Sequence, residues 1–100
     1  MWTEFKNLEK LDLSRSKSDL IPSHTCKDGF KISIQGHYGA YSKPREECSN
    51  IYQYESMEIK TSEQVESLKK YQDGEDSTIY GYVPLELIEA LIVEHGGFND

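Results

Sequence analysis

The sequence has few cysteines, few prolines and no long run of apolar residues. Its 100 residues include two cysteines, whereas a secreted domain of this length usually has several disulfides, so Cys26 and Cys48 are expected to be free thiols. The most apolar segment, LELIEALIV, contains two glutamates and is far shorter than the roughly 18 residues of a membrane span. The first ten residues, MWTEFKNLEK, lack an apolar signal-peptide core. The sequence therefore predicts a cytoplasmic protein without a membrane span.

Motifs for catalysis and metal binding are also missing. No C-x-x-C or H-x-x-x-H pair occurs, so the two cysteines and three histidines lack the spacing that zinc sites prefer. No P-loop or dinucleotide fingerprint is present. A nucleophile paired with a distant histidine stays open, because such partners need not be adjacent in sequence. The prediction is a protein that is not an enzyme and holds neither metal nor cofactor.

The patterns that are present predict a single α+β domain over residues 1–100. Apolar and polar residues alternate in GFKISIQG, and tyrosines fall on one side of the predicted strands IYQYESMEIK and STIYGYV. A further short strand is expected around Tyr38–Tyr41. Helices are predicted over 61–72, where Thr61 and Gln64 fit a capping box, and over 84–95, with Pro84 at the start and Gly96 past the end.

This order indicates a small antiparallel sheet of three to four strands with two main helices. A short N-terminal helix is expected within residues 1–13. The rest of residues 1–28 is expected to be loosely ordered.

Charge divides the chain into two unlike halves. Residues 1–45 contain five acidic and eight basic side chains, a net charge of +3, whereas residues 46–100 contain thirteen acidic side chains and three lysines, a net charge of −10. An acidic half repels nucleic acid and attracts basic protein surfaces. The split therefore favours a partner protein with a basic, nucleic-acid-binding surface, with direct nucleic-acid binding not expected.

Tyrosines on two predicted strands are candidates for the contact surface. Tyrosine is enriched at the centres of protein interfaces, although a tyrosine face can equally pack beneath a helix. The predicted protein-binding residues combine these tyrosines with nearby acids: Tyr52, Tyr54, Glu55, Glu58, Glu63, Glu66, Asp76, Tyr80 and Tyr82. Whether the chain also forms a homodimer stays open.

A second candidate site is the segment GHYGAYSKPRE, residues 36–46. Glycine lets a ligand approach the backbone, tyrosine rings offer stacking faces, and arginine binds phosphate or carboxylate through two parallel hydrogen bonds. The predicted ligand-binding residues are Gly36, Tyr38, Gly39, Tyr41 and Arg45. The alternative interpretation is a turn whose glycines and tyrosines serve only the fold.

The segments YGAYSKPREE, YQYESMEI and YGYVPLELIEALIVEHGG together resemble a pattern in small uncharacterised proteins of phages and prophages. The resemblance spans residues 36–97 and implies a phage setting. Small acidic phage proteins of this size often inhibit host machinery, and anti-CRISPR proteins are among them. The expected function is a phage-encoded, non-enzymatic inhibitor of a bacterial defence protein. The alternative is a small-ligand binder that sequesters a phosphorylated signalling nucleotide.

Overall fold

Four antiparallel strands and one α-helix form the framework of the protein. The computed structural model describes residues 4–15 and 20–99. The strands are β1 (His24–Thr25), β2 (Lys31–Gln35), β3 (Ser56–Thr61) and β4 (Ile79–Pro84), and the helix is α1 (Leu85–Glu94). Three short 3-10 helices span Leu8–Lys10, Ile51–Gln53 and Glu66–Tyr71. The predicted α+β class is confirmed.

The sheet has the order β1-β2-β3-β4, with every neighbouring pair antiparallel. Its buried face carries alternate residues of the strands, as the period of two requires. These residues join the inner side of α1 in one apolar core; from the sheet they are Ile32, Ile34, Met57, Ile59, Tyr80 and Val83, and from α1 they are Leu85, Ile88, Leu91 and Ile92. The opposite face has exposed or half-buried side chains, including Lys31, Ser33 and Lys60.

The last helix agrees with its sequence signals. Pro84 ends β4 and stands at the N-cap of α1, one position before the first helical residue, so the helix spans 85–94 rather than the predicted 84–95. Gly96 follows the helix with φ of 93°, a conformation that favours glycine, and its N–H donates to the carbonyl of Val93 at 3.0 Å. No helix within the described ranges is long and apolar enough to cross a membrane.

The segment predicted as a helix over 61–72 is shorter and of another type. Thr61 is the last residue of β3, where it pairs with Ile32, and its hydroxyl donates to the carbonyl of Glu63, so the predicted capping box does not form. The helical part is the 3-10 helix Glu66–Tyr71. Leu68 has φ of −109° and marks a kink between two 3-10 turns, and its buried side chain joins the core, against which Val65 and Tyr71 also pack.

Two other predicted elements also differ. Residues 38–41 form a turn, in which the N–H of Ala40 donates to the carbonyl of His37, so the strand expected there is absent. The strand expected from residue 51 begins at Ser56, because Asn50 and Gln53 form a reciprocal cap on the 3-10 helix Ile51–Gln53. The short strand β1 lies in a segment that reads as a loop.

The N-terminal segment is anchored to α1 by a carboxylate. Glu89 accepts hydrogen bonds from the backbone N–H of Asn7 and of Leu8, at 3.0 and 3.1 Å, and from the side chain of Asn7 at 2.7 Å. Phe5, Leu8 and Leu11 lie in the core. The described part of residues 1–28 thus contributes side chains to the core. The short helix expected within residues 1–13 is the 3-10 helix Leu8–Lys10.

Both outer strands are covered along their free edges. Beside β1, Cys26 forms an isolated bridge with Phe98, and the N–H of Asn99 donates to the carbonyl of Thr25 at 2.8 Å. Beside β4, Gln72 bridges to Tyr80, and the N–H of Tyr82 donates to the carbonyl of Tyr41 at 2.8 Å. Because these backbone groups are already paired, the sheet edges offer no row of free N–H and C=O groups to another strand.

Candidate functional site

An exposed group of aromatic rings and one guanidinium lies beside the edge strand β4. The rings of Tyr41 and Tyr82 stack with centroids 5.8 Å apart and an angle of 22°. The guanidinium of Arg45 lies 5.5 Å from the centre of the Tyr41 ring. Tyr38, in the same turn as Tyr41, is 86% exposed. We call these four residues the tyrosine–arginine surface.

Tyr82 reaches this surface through a bulge in the β3–β4 pairing. Met57 pairs with Val83 and Ile59 with Tyr80, so Glu58 faces two residues of β4, Gly81 and Tyr82. Tyr82 has φ of 54°, in the left-handed region that non-glycine residues rarely occupy. Residues held in such conformations cluster at functional sites. The bulge turns Tyr82 outwards, and its side chain is 46% exposed.

Tyr41 is held on both sides of its backbone. Its N–H donates to the carboxylate of Glu58 at 3.2 Å, and its carbonyl accepts from the N–H of Tyr82 at 2.8 Å. A methyl group at Gly81 would lie 3.0 Å from the Cβ of Tyr41, so the absence of a side chain lets Tyr41 sit against β4. The two rings are therefore positioned before any partner arrives.

The loop that carries Tyr41 and Arg45 is closed at its base by Tyr54. The hydroxyl of Tyr54 lies 2.8 Å from the carbonyl of Gly36 and 2.9 Å from that of Glu46, and it accepts the N–H of Cys48 at 3.0 Å. Arg15, which is buried, donates to the same Gly36 carbonyl. Burial raises the pKa of the Tyr54 phenol, while the N–H of Cys48 opposes this shift.

Gly36 and Gly39 therefore have structural explanations. A Cβ at Gly36 would lie 2.5 Å from the Tyr54 ring, so a side chain there would displace the base of the loop. A Cβ at Gly39 would lie 3.3 Å from the His37 ring, and the N–H of Gly39 donates to that ring at 3.0 Å. Of the predicted ligand-binding residues, Tyr38, Tyr41 and Arg45 lie on the surface, whereas Gly36 lies buried beneath it.

The four tyrosines predicted on one face are separated in the structure. Tyr80 is fully buried, and its hydroxyl accepts the N–H of Val65 at 2.8 Å. Tyr54 is 4% exposed at the base of the loop. Tyr52 lies in a 3-10 helix, half-buried, where its ring stacks on Phe5 and its hydroxyl donates to Glu9. Tyr82 alone of the four projects outwards, and it meets Tyr41 of the other predicted set.

The predicted acidic contacts also separate. Glu63, Glu66 and Asp76 are exposed on the connection 62–78, at the end of the β3–β4 pair away from the bulge. The end at Thr61 is about 10 Å along the strand from Glu58, at roughly 3.3 Å per residue. Glu55 faces Lys43 at 3.5 Å, and both side chains are exposed. Glu58 serves as the partner of the Tyr41 backbone.

The tyrosine–arginine surface has polar groups that are available to bind a partner. Within residues 4–15 and 20–99, the hydroxyls of Tyr38, Tyr41 and Tyr82 have no hydrogen-bond partner, and Arg45 has no carboxylate within ion-pair distance. A free guanidinium beside aromatic rings can bind a carboxylate or phosphate while the rings cover an apolar surface. The arrangement suits recognition by contact.

Sequence reasoning missed Gly81 as part of this site. Its signal was a glycine inside an otherwise regular strand, which often marks a bulge or a close approach of another segment. In the part of the chain that the structure describes, no three His, Cys, Asp or Glu side chains are grouped to hold a metal ion. Cys26 and Cys48 are free and buried, and burial raises the pKa of the Cys26 thiol.

Comparisons with known proteins add no relative to this description. No protein-family model, curated protein or solved structure matches the chain.

Proposed function

We propose that this chain is a non-enzymatic binding protein that recognises a partner protein through the tyrosine–arginine surface. The observation that carries the proposal is the stack of Tyr41 and Tyr82 beside the free guanidinium of Arg45. Tyrosine and arginine are enriched among the residues that dominate binding energy at protein interfaces. Fixing both rings before contact lowers the entropy that binding costs.

The acidic connection 62–78 supports a partner with a basic surface. Glu63, Glu66 and Asp76 are exposed there, and none has an ion pair among the residues that the structure describes. Carboxylates on one surface attract a basic nucleic-acid-binding protein and compete with its nucleic acid. In the phage setting that the sequence pattern implies, the partner is a bacterial defence protein in the host cytoplasm, and the chain inhibits it in an anti-CRISPR-like manner.

Quantitative affinity capture from bacterial lysate tests this proposal. Wild type should retain a nucleic-acid-binding protein that added salt or a nucleic-acid oligonucleotide displaces. Tyr82→Ala and Arg45→Ala should each weaken binding to that protein about tenfold or more, as expected for residues at an interface centre. Lys6→Ala, an exposed cation elsewhere, should leave binding unchanged.

Charge reversal at Glu63, Glu66 and Asp76 should lower the affinity further and flatten its dependence on salt. Recovery of no nucleic-acid-binding protein would contradict the proposal. Equal binding by the Tyr82→Ala, Arg45→Ala and Lys6→Ala variants would also contradict it.

A second candidate, sequestration of a phosphorylated signalling nucleotide, is favoured by the free guanidinium of Arg45 alone. A base would stack on Tyr38 or Tyr82 while Arg45 holds phosphate. Thermal shift against a nucleotide panel tests it: a stabilising nucleotide should lose its effect in Arg45→Lys, because lysine cannot form the two parallel bonds. No stabilisation by any nucleotide would reject this function.

A further inference from the structure

The outward side of α1 carries exposed apolar residues. Leu87, Ala90 and Val93 recur every three residues along the helix, and all three are exposed, Val93 to 60%. Residues three and four apart are neighbours on a helix surface, so Ala90 adjoins both Leu87 and Val93. The three side chains therefore form one continuous strip.

A shallow groove borders this strip on one side. It lies between α1 and the 3-10 helix Glu66–Tyr71 and has a volume of about 180 Å³. Its lining consists of Ser67, Leu68, Leu87, Ala90, Leu91 and Glu94. The small side chain of Ala90 leaves the floor of the groove open to a residue of another chain. None of the lining side chains is cationic.

Carboxylates bracket the strip at both ends. Glu86 lies in the first turn of α1, and Glu94 is its last residue. Both are exposed, and neither has an ion pair within residues 4–15 and 20–99. They are eight positions apart, a distance of about 12 Å along the axis at 1.5 Å per residue.

Glu94 opposes the stability of the helix that carries it. The C-terminus of a helix has a partial negative charge, so an anion there is unfavourable, and the last turn of α1 has no basic residue to offset it. The carboxylate of Glu89, by contrast, accepts hydrogen bonds from the backbone N–H groups of Asn7 and Leu8. A partner with apolar side chains would cover the exposed Val93, and a cation on the same partner would offset the unfavourable position of Glu94.

We infer that this face of α1 docks a basic amphipathic helix of a partner protein. Apolar side chains of the partner would cover Leu87, Ala90 and Val93, and two of its lysines or arginines, spaced about 12 Å apart, would meet Glu86 and Glu94. The inference rests on the proposed function only in requiring a protein partner. It adds a second contact, separate from the tyrosine–arginine surface.

The probe is a fluorescein-labelled helical peptide of about 14 residues, long enough to span the strip, with a leucine face bracketed by lysines. Its control replaces each lysine by glutamate. Fluorescence anisotropy should show saturable binding of the lysine peptide to the full chain, weakened by salt, and no binding of the glutamate peptide.

Paired variants locate the binding. Glu86→Gln with Glu94→Gln should weaken the lysine peptide about fivefold or more, consistent with two lost charge contacts. Asp73→Asn with Glu75→Gln removes the same charge from two exposed residues that do not line the groove and should change the affinity less than about twofold, because solvent and salt screen exposed charges outside the contact. Leu87→Ser with Val93→Ser should also weaken binding, whereas Leu20→Ser, another exposed apolar residue, should not.

Failure of this inference is distinguishable from failure of the proposed function. Arg45→Ala with Tyr82→Ala should leave peptide binding intact. Equal binding of both peptides, equal weakening by the two double charge variants, or no binding of the lysine peptide would each overturn the α1 site. None of these results changes whether Tyr82 and Arg45 are required for partner capture.

Discussion

Two pairs of tyrosines in this chain have opposite environments. Tyr54 and Tyr80 are almost fully buried, and their hydroxyls have backbone partners. Tyr41 and Tyr82 are 42% and 46% exposed, stack on each other, and have hydroxyls without partners among the described residues. The difference shows that a tyrosine-rich sequence separates into residues that stabilise the fold and residues that are available for recognition. A satisfied hydroxyl marks the first kind.

The largest effect on stability is expected from truncating a tyrosine of the buried pair. Tyr54→Ala should lower the free energy of unfolding by about 3–5 kcal/mol, because it empties a core site and leaves buried backbone groups unpaired. Tyr41→Ala should lower it by less than about 1 kcal/mol, as is usual for surface positions. Urea denaturation at neutral pH measures both. Similar losses for the two variants would remove the distinction between the pairs.

Alkaline pH should sharpen the same comparison. The pKa of Tyr54 is raised by burial, so its contribution to stability is complete below the unfolded-state pKa of about 10 and is lost as pH rises through the higher folded-state pKa. Stability should therefore fall less steeply above about pH 10 in Tyr54→Phe than in wild type. Urea midpoints across this range measure the difference, and parallel curves would argue against it.

The smallest effect concerns the backbone at Tyr82. Alanine and glycine both remove the ring, but only glycine adopts φ of 54° without steric cost. Tyr82→Gly should therefore be more stable than Tyr82→Ala by about 1 kcal/mol. Both variants should lose binding of the partner alike. An alanine variant that is at least as stable as the glycine variant would mean that the bulge carries no strain.

Local signals explain which elements were predictable. The helix α1 has Pro84 at its start, a wide apolar face and Gly96 past its end, and each signal lies within a few residues of the feature it specifies. The helix predicted over 61–72 was wrong in type because apolar residues at a spacing of three fit both an amphipathic α-helix and a 3-10 helix. The pairing of Thr61 in β3 removes the predicted cap, and the helical part begins only at Glu66.

The site depended on contacts that a periodic pattern does not encode. Arg45 and Tyr41 were predicted as one group and Tyr82 as part of another, and the bulge opposite Glu58 brings Tyr82 to Tyr41. Regular alternation, which assumes a strand without a bulge, placed Tyr82 on the same face as the buried Tyr80. A bulge reverses the side on which the later residues of its strand lie. The glycine at position 81 was the available hint.

The covered edges of the sheet also bear on how this protein behaves in a crowded solution. Aggregation into fibrils grows by adding strands to an exposed edge, and here the segments around Phe98 and Gln72 already occupy both edges. An acidic chain with this arrangement should remain monodisperse when concentrated, provided that the C-terminal segment stays in place. Removing residues 97–100 would uncover β1, and light scattering would then detect fibril growth that the untruncated chain resists.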